Sequence, residues 1–216
     1  GVTLGTWVRE HGRINQELAI TWIHQLSEIL DYVHGRGFIH RDIKPENIIV
    51  QPDLSLALID FGFSQSNLTN ATRSGNRTSS TAYNVRSFGY TAPEQNIGRS
   101  YPQSDIYSLG RTMIVALTGK ELSELSDENS GNLQWHMNAK QIAKPIQRYI
   151  DCLTDPAIAK RPKDTHEMLS YLSDVLPGQI KWSQRWKTPY VLYPAIFLGV
   201  VAALGLIHFG RLWLSD

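Results

Sequence analysis

The residues able to do chemistry concentrate between His40 and Asp60. The octet His40-Arg41-Asp42-Ile43-Lys44-Pro45-Glu46-Asn47 gathers an imidazole, two cations, two carboxylates and an amide. Asp60-Phe61-Gly62 follows, and Ala92-Pro93-Glu94 comes later. Groups of these types serve proton transfer and charge neutralisation. An intrachain disulfide and a zinc site are excluded: there is one cysteine, Cys152, and no CxxC or His/Cys cluster offers zinc ligands. Cys152 reads as a small buried apolar residue, and a reducing compartment fits. A single Asp such as Asp42 would ordinarily be a solvated or capping carboxylate.

Such groups need elements to hold them. The chain has 216 residues, one domain plus a remainder, and its 42% hydrophobic and 19% charged content excludes a wholly disordered chain. A net charge of +1 suggests no polyanion-binding surface, so no nucleic-acid partner is expected. Asn15 offers a cap to a helix in which Leu18, Trp22, Leu26, Leu30 and Val33 recur at steps of four and three, with Gly35-Arg36-Gly37 as the stop. Ile48-Ile49-Val50 and Leu56-Ala57-Leu58-Ile59, separated by Gln51-Pro52-Asp53, predict a β-hairpin. Residues 64–86, nearly all Ser, Thr, Asn, Arg and Gly, predict a long mobile loop. Ile106 to Leu117 is almost unbroken apolar sequence ended by Gly119, a helix for the domain centre. Ala143 to Leu153 and Asp164 to Leu176 predict two further helices, with Pro156 and Pro162 between them, and no internal repeat is present.

The octet, Asp60-Phe61-Gly62 and Ala92-Pro93-Glu94, in this order and with a hairpin between the first two, resemble the protein kinase signature of catalytic loop, DFG and APE. The resemblance implies a mainly α fold with small β-hairpins, the C-terminal lobe of a bacterial Hanks-type serine/threonine kinase, with ATP and Mg2+ as cofactors. It makes Asp42 the acceptor of the substrate hydroxyl proton, and it places Lys44 on the γ-phosphate. Asn47 and Asp60 become magnesium ligands; Mg2+ is a hard cation that also keeps waters and phosphate oxygens. Lys44 fits serine/threonine specificity. Glu46 joins the nucleotide-binding set, and Ile49 resembles the apolar residue beneath adenine, an ordinary core role being equally compatible.

The resemblance extends to supporting positions. His40 and Phe61, with Gly62 beside them, belong to the packed column that aligns the site rather than to the chemistry. Glu94 and Arg161 match a buried ion pair tying the activation segment to the lobe. Asp105 matches the carboxylate that holds the catalytic-loop backbone, and helix capping is a compatible role. Thr91 resembles the threonine that bonds the catalytic Asp and Lys. Arg41 resembles the arginine that grips an activation-loop phosphate, for which Thr78, Ser79, Ser80, Thr81 and Ser87 are candidate acceptors; a plain Ser/Thr-rich loop is the alternative.

Domain organisation follows. Residues 1–177 read as the large lobe, starting at the lead-in to its first helix, because neither a Gly-rich phosphate loop nor a strand lysine is visible. The chain opens on Gly1 with no basic-then-apolar leader, so the native start is expected to lie elsewhere. Residues 178–187 read as a juxtamembrane linker and 211–216 as a short tail. Thr188 to Gly210 carries no Asp, Glu, Lys or Arg, enough for a transmembrane helix. Trp182, Trp186, Tyr190, Tyr193 and Trp213 stand at its ends, and Lys181, Arg185 and Lys187 outnumber Arg211, which places the lobe in the cytoplasm. The expected location is the cell membrane, single-pass. Protein substrates with Ser or Thr hydroxyls and the membrane are the expected partners; a homodimer stays open. Two functions compete: a membrane-tethered serine/threonine kinase, and a catalytically inactive membrane-anchored scaffold lacking the N-terminal lobe.

Overall fold

A computed structural model describes residues 1–61, 89–127 and 133–175 in full and residues 65–66 as backbone. The chain runs β1 (Val2–Thr3), α1 (Leu4–His11), α2 (Gln16–His34), β2 (Phe38–Ile39), β3 (Ile48–Val50), β4 (Leu56–Leu58) and β5 (Gln65–Ser66). It continues with α3 (Pro93–Asn96), α4 (Pro102–Thr118), α5 (Leu122–Leu125), α6 (Lys144–Leu153) and α7 (Thr165–Val175). The protein is mostly helical with small sheets.

α4 is the centre. Its run from Ser104 to Gly110 and from Thr112 to Thr118 is buried, and α2, α6, α1 and α5 pack around it. Burying each Leu, Ile or Met side chain of this run contributes about 1.5–3 kcal/mol. Pro102 opens the helix, where a missing N–H costs nothing, and Gly119 closes it at φ 69°, its N–H donating to the Val115 carbonyl. Gly110 lets α6 approach: a Cβ there would lie 2.7 Å from Thr154 Cγ2 and 3.0 Å from Leu153 Cβ. α4 therefore packs closely against α6 at this point.

α2 starts at Asn15, whose side chain accepts the Leu18 N–H at 2.8 Å, and it buries Ala19, Trp22, Ile23, Leu26, Leu30 and Val33. The stripe meets α4 and α7. The hairpin forms in the expected place, with Ile48 opposite Leu58, Ile49 opposite Ala57 and Val50 opposite Leu56. In its turn the Asp53 carboxylate accepts from the Ser55 N–H and hydroxyl, and Leu54 takes φ 65°.

Several boundaries differ from the sequence reading. β4 stops at Leu58 rather than Ile59, although the Ile59 N–H still donates to the Asn47 carbonyl at 2.9 Å. A third strand, β1, pairs on the outer side of β3, with Val2 opposite Val50 and Thr3 opposite Ile49. Two residues carry no readable alternation, so β1 had no signal. β2 and β5 pair as a second, two-stranded sheet. α4 begins at Pro102, before the apolar run, because Pro102 and the Ser104 hydroxyl, which accepts the Tyr101 N–H, start it.

Among the described residues no helix is long and apolar enough to cross a membrane. The expected span 188–210, its flanks, Gly62 and the candidate phosphoacceptors all lie outside the described residues.

Candidate active site

The octet folds into a loop between β2 and β3, and a buried carboxylate organises it. Asp105, wholly buried in the first turn of α4, accepts the His40 N–H through Oδ2 at 2.9 Å and the Arg41 N–H through Oδ1 at 2.8 Å. His34 Nε2 donates to the same Oδ2 at 2.8 Å. The clamp spans a difficult stretch of backbone, because Arg41 sits at φ 73°, a region that L residues other than Asn and Asp seldom adopt. From the far side Gln95 Nε2 donates to the Arg41 carbonyl at 3.0 Å while its Oε1 accepts the Ala92 N–H at 3.0 Å. The Arg41 backbone is thus held at both its N–H and its C=O.

The next residue is Asp42. Its Oδ2 lies 2.9 Å from Lys44 Nζ and accepts from Asn47 Nδ2 at 3.0 Å, and the same Nδ2 donates to the Asp42 carbonyl at 2.8 Å. A single turn of 3-10 helix, Pro45–Asn47, folds the amide back onto the carboxylate, and the Asn47 N–H donates to the Lys44 carbonyl at 3.0 Å. With both bonds on Nδ2, the Asn47 oxygen is left to serve as an acceptor or metal ligand. The Ile59 N–H donates to the Asn47 backbone carbonyl, and Asp60 is the next residue along the chain. Asp60 is exposed and takes φ 63°. One amide oxygen and one carboxylate suit a hard divalent cation that completes its shell with water and phosphate oxygens. Among the described residues no cluster of three or more His, Cys, Asp or Glu forms a complete metal site.

His40 is fully buried, its ring edge-on to Phe61 with centroids 4.7 Å apart. Nδ1 accepts the Asp42 N–H at 3.3 Å, so Nε2 carries the proton and donates to the Ile59 carbonyl at 3.0 Å. The ring therefore ties this loop to Ile59, just past the end of β4 and next to Asp60. Burial pushes its pKa below the ordinary 6.5, opposed by Asp105, the Ile59 carbonyl, Asp42 and Asp60. Between 6.5 and that lower folded value the unfolded chain holds a proton that the folded chain does not. His40's contribution to stability is therefore complete above 6.5 and declines as pH falls through the window. Urea unfolding from about pH 8 to about pH 5 is expected to show a steeper loss for the native chain than for His40→Phe. Equal slopes would remove His40 as a source.

Behind the loop, Arg161 and Glu94 form a two-pronged ion pair, Nη1 to Oε1 at 2.7 Å and Nη2 to Oε2 at 2.8 Å. The guanidinium also donates to the carbonyls of Asp155, Gln103 and Pro156, and Ser104 Oγ donates to Glu94 Oε1. Burial alone would raise the Glu94 carboxyl; the bonds from Arg161 and Ser104 outweigh it and hold it below the ordinary carboxylate range.

The structure thus gathers His40, Arg41, Asp42, Lys44, Asn47, Phe61 and Asp105 around one loop, with Asp60 at its edge. Glu94 and Arg161 stand apart as a second anchor. Glu46 is exposed beside Asn47, Ile49 is half-buried opposite Thr3, and Thr91 is half-buried two residues before α3. Sequence reasoning passed over Gln95 and His34. His34 had a signal, four residues after Leu30 on the buried stripe of α2; Gln95 had none beyond its place after Glu94.

Fold and site are those of a protein kinase domain. The family described as protein kinase domain matches residues 1–186, so the chain belongs to that family. It is 38% identical over 80% of its length to serine/threonine-protein kinase PknA of Nostoc sp., covering 31% of that protein. It is 35% identical over 80% of its length to serine/threonine-protein kinase D of Synechocystis sp., covering 34% of it. It is also 29% identical over 77% of its length to serine/threonine-protein kinase PknB of Mycobacterium tuberculosis, covering 27% of it. The chain spans about a third of the length of these curated relatives.

Proposed function

We propose that the chain is the large lobe of a serine/threonine protein kinase that transfers the ATP γ-phosphate to protein Ser and Thr hydroxyls. The observation that carries this reading is the Asp42 carboxylate, held by Lys44 at 2.9 Å and Asn47 at 3.0 Å on a loop clamped by Asp105. Asp42 orients the acceptor hydroxyl and takes its proton as the oxygen attacks phosphorus. Lys44 neutralises charge that builds on the transferred group. Asn47 and Asp60 would hold Mg2+, which supplies charge neutralisation at the phosphates when bound. Ile49, on the sheet beside this loop, would take the adenine face.

The partner lobe with the phosphate-covering Gly-rich loop and strand lysine is proposed to lie upstream of Gly1, in the parent polypeptide. The proposed setting is the cytoplasmic face of the cell membrane, carried by the uncharged segment 188–210. The test is the parent polypeptide incubated with labelled ATP, Mg2+ and a protein substrate. Label on serine and threonine is the expected result. No transfer, with nucleotide bound, would favour the scaffold; label on tyrosine alone would refute the specificity.

A further inference from the structure

At the end of α4 away from the catalytic loop, three cations from three segments meet around one open cleft of about 520 Å³. Arg13 comes from the turn between α1 and α2, Lys120 from just past the α4 C-terminus, and Lys140 from the segment leading to α6. All three are exposed. No carboxylate lines the cleft, and none of the three cations is in an ion pair among the described residues. A helix C-terminus ordinarily turns bare carbonyls outward and would repel an anion. Here the carbonyls of Val115, Ala116 and Leu117 already accept from the Gly119 N–H at 2.8 Å, the Ile14 N–H at 2.9 Å and Gln141 Nε2 at 3.3 Å. The walls are tied as well: Arg13 Nη1 donates to the Asn138 carbonyl at 3.2 Å, and the Ala143 N–H donates to Gln16 Oε1 at 2.8 Å. The cleft is therefore a fixed feature of the lobe, ringed by like charge that nothing offsets.

We propose that this cleft is a docking site for a phosphorylated serine or threonine in an acidic segment of a partner protein. A phosphate monoester brings a charge of about −1.5 to −2 and three strong acceptors at neutral pH. The Arg13 fork keeps donors beyond the one given to Asn138, and Lys120 and Lys140 add point charges. Three cations exceed one phosphate, so an acidic neighbour completes the balance. The lining disfavours other anions. It holds no aromatic ring to stack a nucleotide base. A concave cleft on a chain of net charge +1 is also unlike the broad basic face that a nucleic acid or a membrane surface calls for. The cleft lies about 20 Å along α4 from the Asp105 that clamps the catalytic loop. A phosphate docked here is beyond the reach of Asp42, and at least about six further residues of extended chain must run to the active site. Docking there raises the local concentration of the remaining hydroxyls of a protein already phosphorylated once.

Delivery to the active site rests on the kinase reading; binding does not, and the experiment separates them. Fluorescence anisotropy with the full chain and a labelled peptide, one phosphoserine flanked by glutamates, measures binding against the same peptide with plain serine. We expect the phosphopeptide to bind at least about tenfold more tightly, and Lys120→Gln combined with Lys140→Gln to remove that preference. Both side chains are exposed, so the double variant should fold. Lys163→Gln, exposed and outside the cleft, should bind as the native chain does. Equal affinity for the two peptides, an undiminished preference in the double variant, or displacement of the phosphopeptide by equimolar inorganic phosphate would overturn the docking site. A preference for anionic over neutral phospholipid vesicles that the double variant loses would assign the cleft to a membrane instead. In the parent polypeptide, KM for a phosphoserine peptide with an acceptor serine about eight residues away should rise about tenfold in the double variant. Its kcat, and KM for the plain-serine peptide, should not change. An unchanged KM for the phosphopeptide would overturn delivery. A native parent that transfers no phosphate would sink the kinase reading while leaving the binding result to stand.

Discussion

Replacing Asp42 with Asn in the parent polypeptide is expected to lower the rate of phosphate transfer by about 10²–10⁴-fold, the usual range for a lost general base. The substitution is nearly isosteric, and the amide oxygen can still accept from Lys44 and Asn47, which now meet Asp42 at 2.9 and 3.0 Å. The loop should therefore keep its shape, and the Asp105 clamp on His40 and Arg41 does not involve the changed group. What disappears is a basic oxygen to take the proton as the hydroxyl attacks. Because that interaction develops in the transition state, kcat should fall while KM for ATP stays near its native value. Single-turnover kinetics with labelled ATP, beside a melting curve for each protein, measures both. Activity within threefold of native in a folded variant would mean that another group is the base.

The second large effect concerns stability. Replacing Arg161 with Ala should destabilise the fold by about 3–5 kcal/mol, because a buried, hydrogen-bonded charge pair is broken on one side only. Arg161 has a fully buried side chain and Glu94 one that is 10% exposed, so water cannot take over the lost bonds. Against a typical total of about 5–15 kcal/mol, this removes a large share. Arg161→Lys should recover little, since one ammonium cannot span both Glu94 oxygens and the carbonyls of Asp155, Gln103 and Pro156. Removing both charges, as Arg161→Met with Glu94→Leu, should cost less than removing Arg161 alone. The pH sign runs with Glu94: its folded pKa is depressed, so the pair's contribution is complete above about 4.5 and lost as pH falls through the lower folded value. Urea unfolding of the three variants across that range checks each statement, and a double mutant that loses as much stability as Arg161→Ala would count against coupling of the pair.

Both predictions draw on residues whose pairing no local pattern announces. The fork between Glu94 and Arg161 joins positions far apart in sequence, as does the Asp105 clamp on His40. They could be anticipated because the octet, Asp60-Phe61-Gly62 and Ala92-Pro93-Glu94 resemble a signature whose geometry is shared across a family. Where no such motif stood, as at Gln95 and His34, the structure had to supply the contact. Local elements fared according to the strength of their period. α2, with four turns of apolar spacing and an Asn cap, was legible nearly to the residue. β1, two residues long, was not.

The sequence by itself determined which chemical groups are present, the helices with a repeating apolar face, the hairpin with its Pro-Asp turn, and the uncharged run at 188–210. These are decided by neighbours within a few positions, where spacing and side-chain type act directly. Only the tertiary structure decided that Arg41 is held at positive φ between Asp105 and Gln95, that Asn47 turns its nitrogen to Asp42, and that α2 ends on a histidine bonded to α4. Those contacts form only when distant segments pack against a common core, where burial makes every unpaired polar group costly and so selects one partner for each.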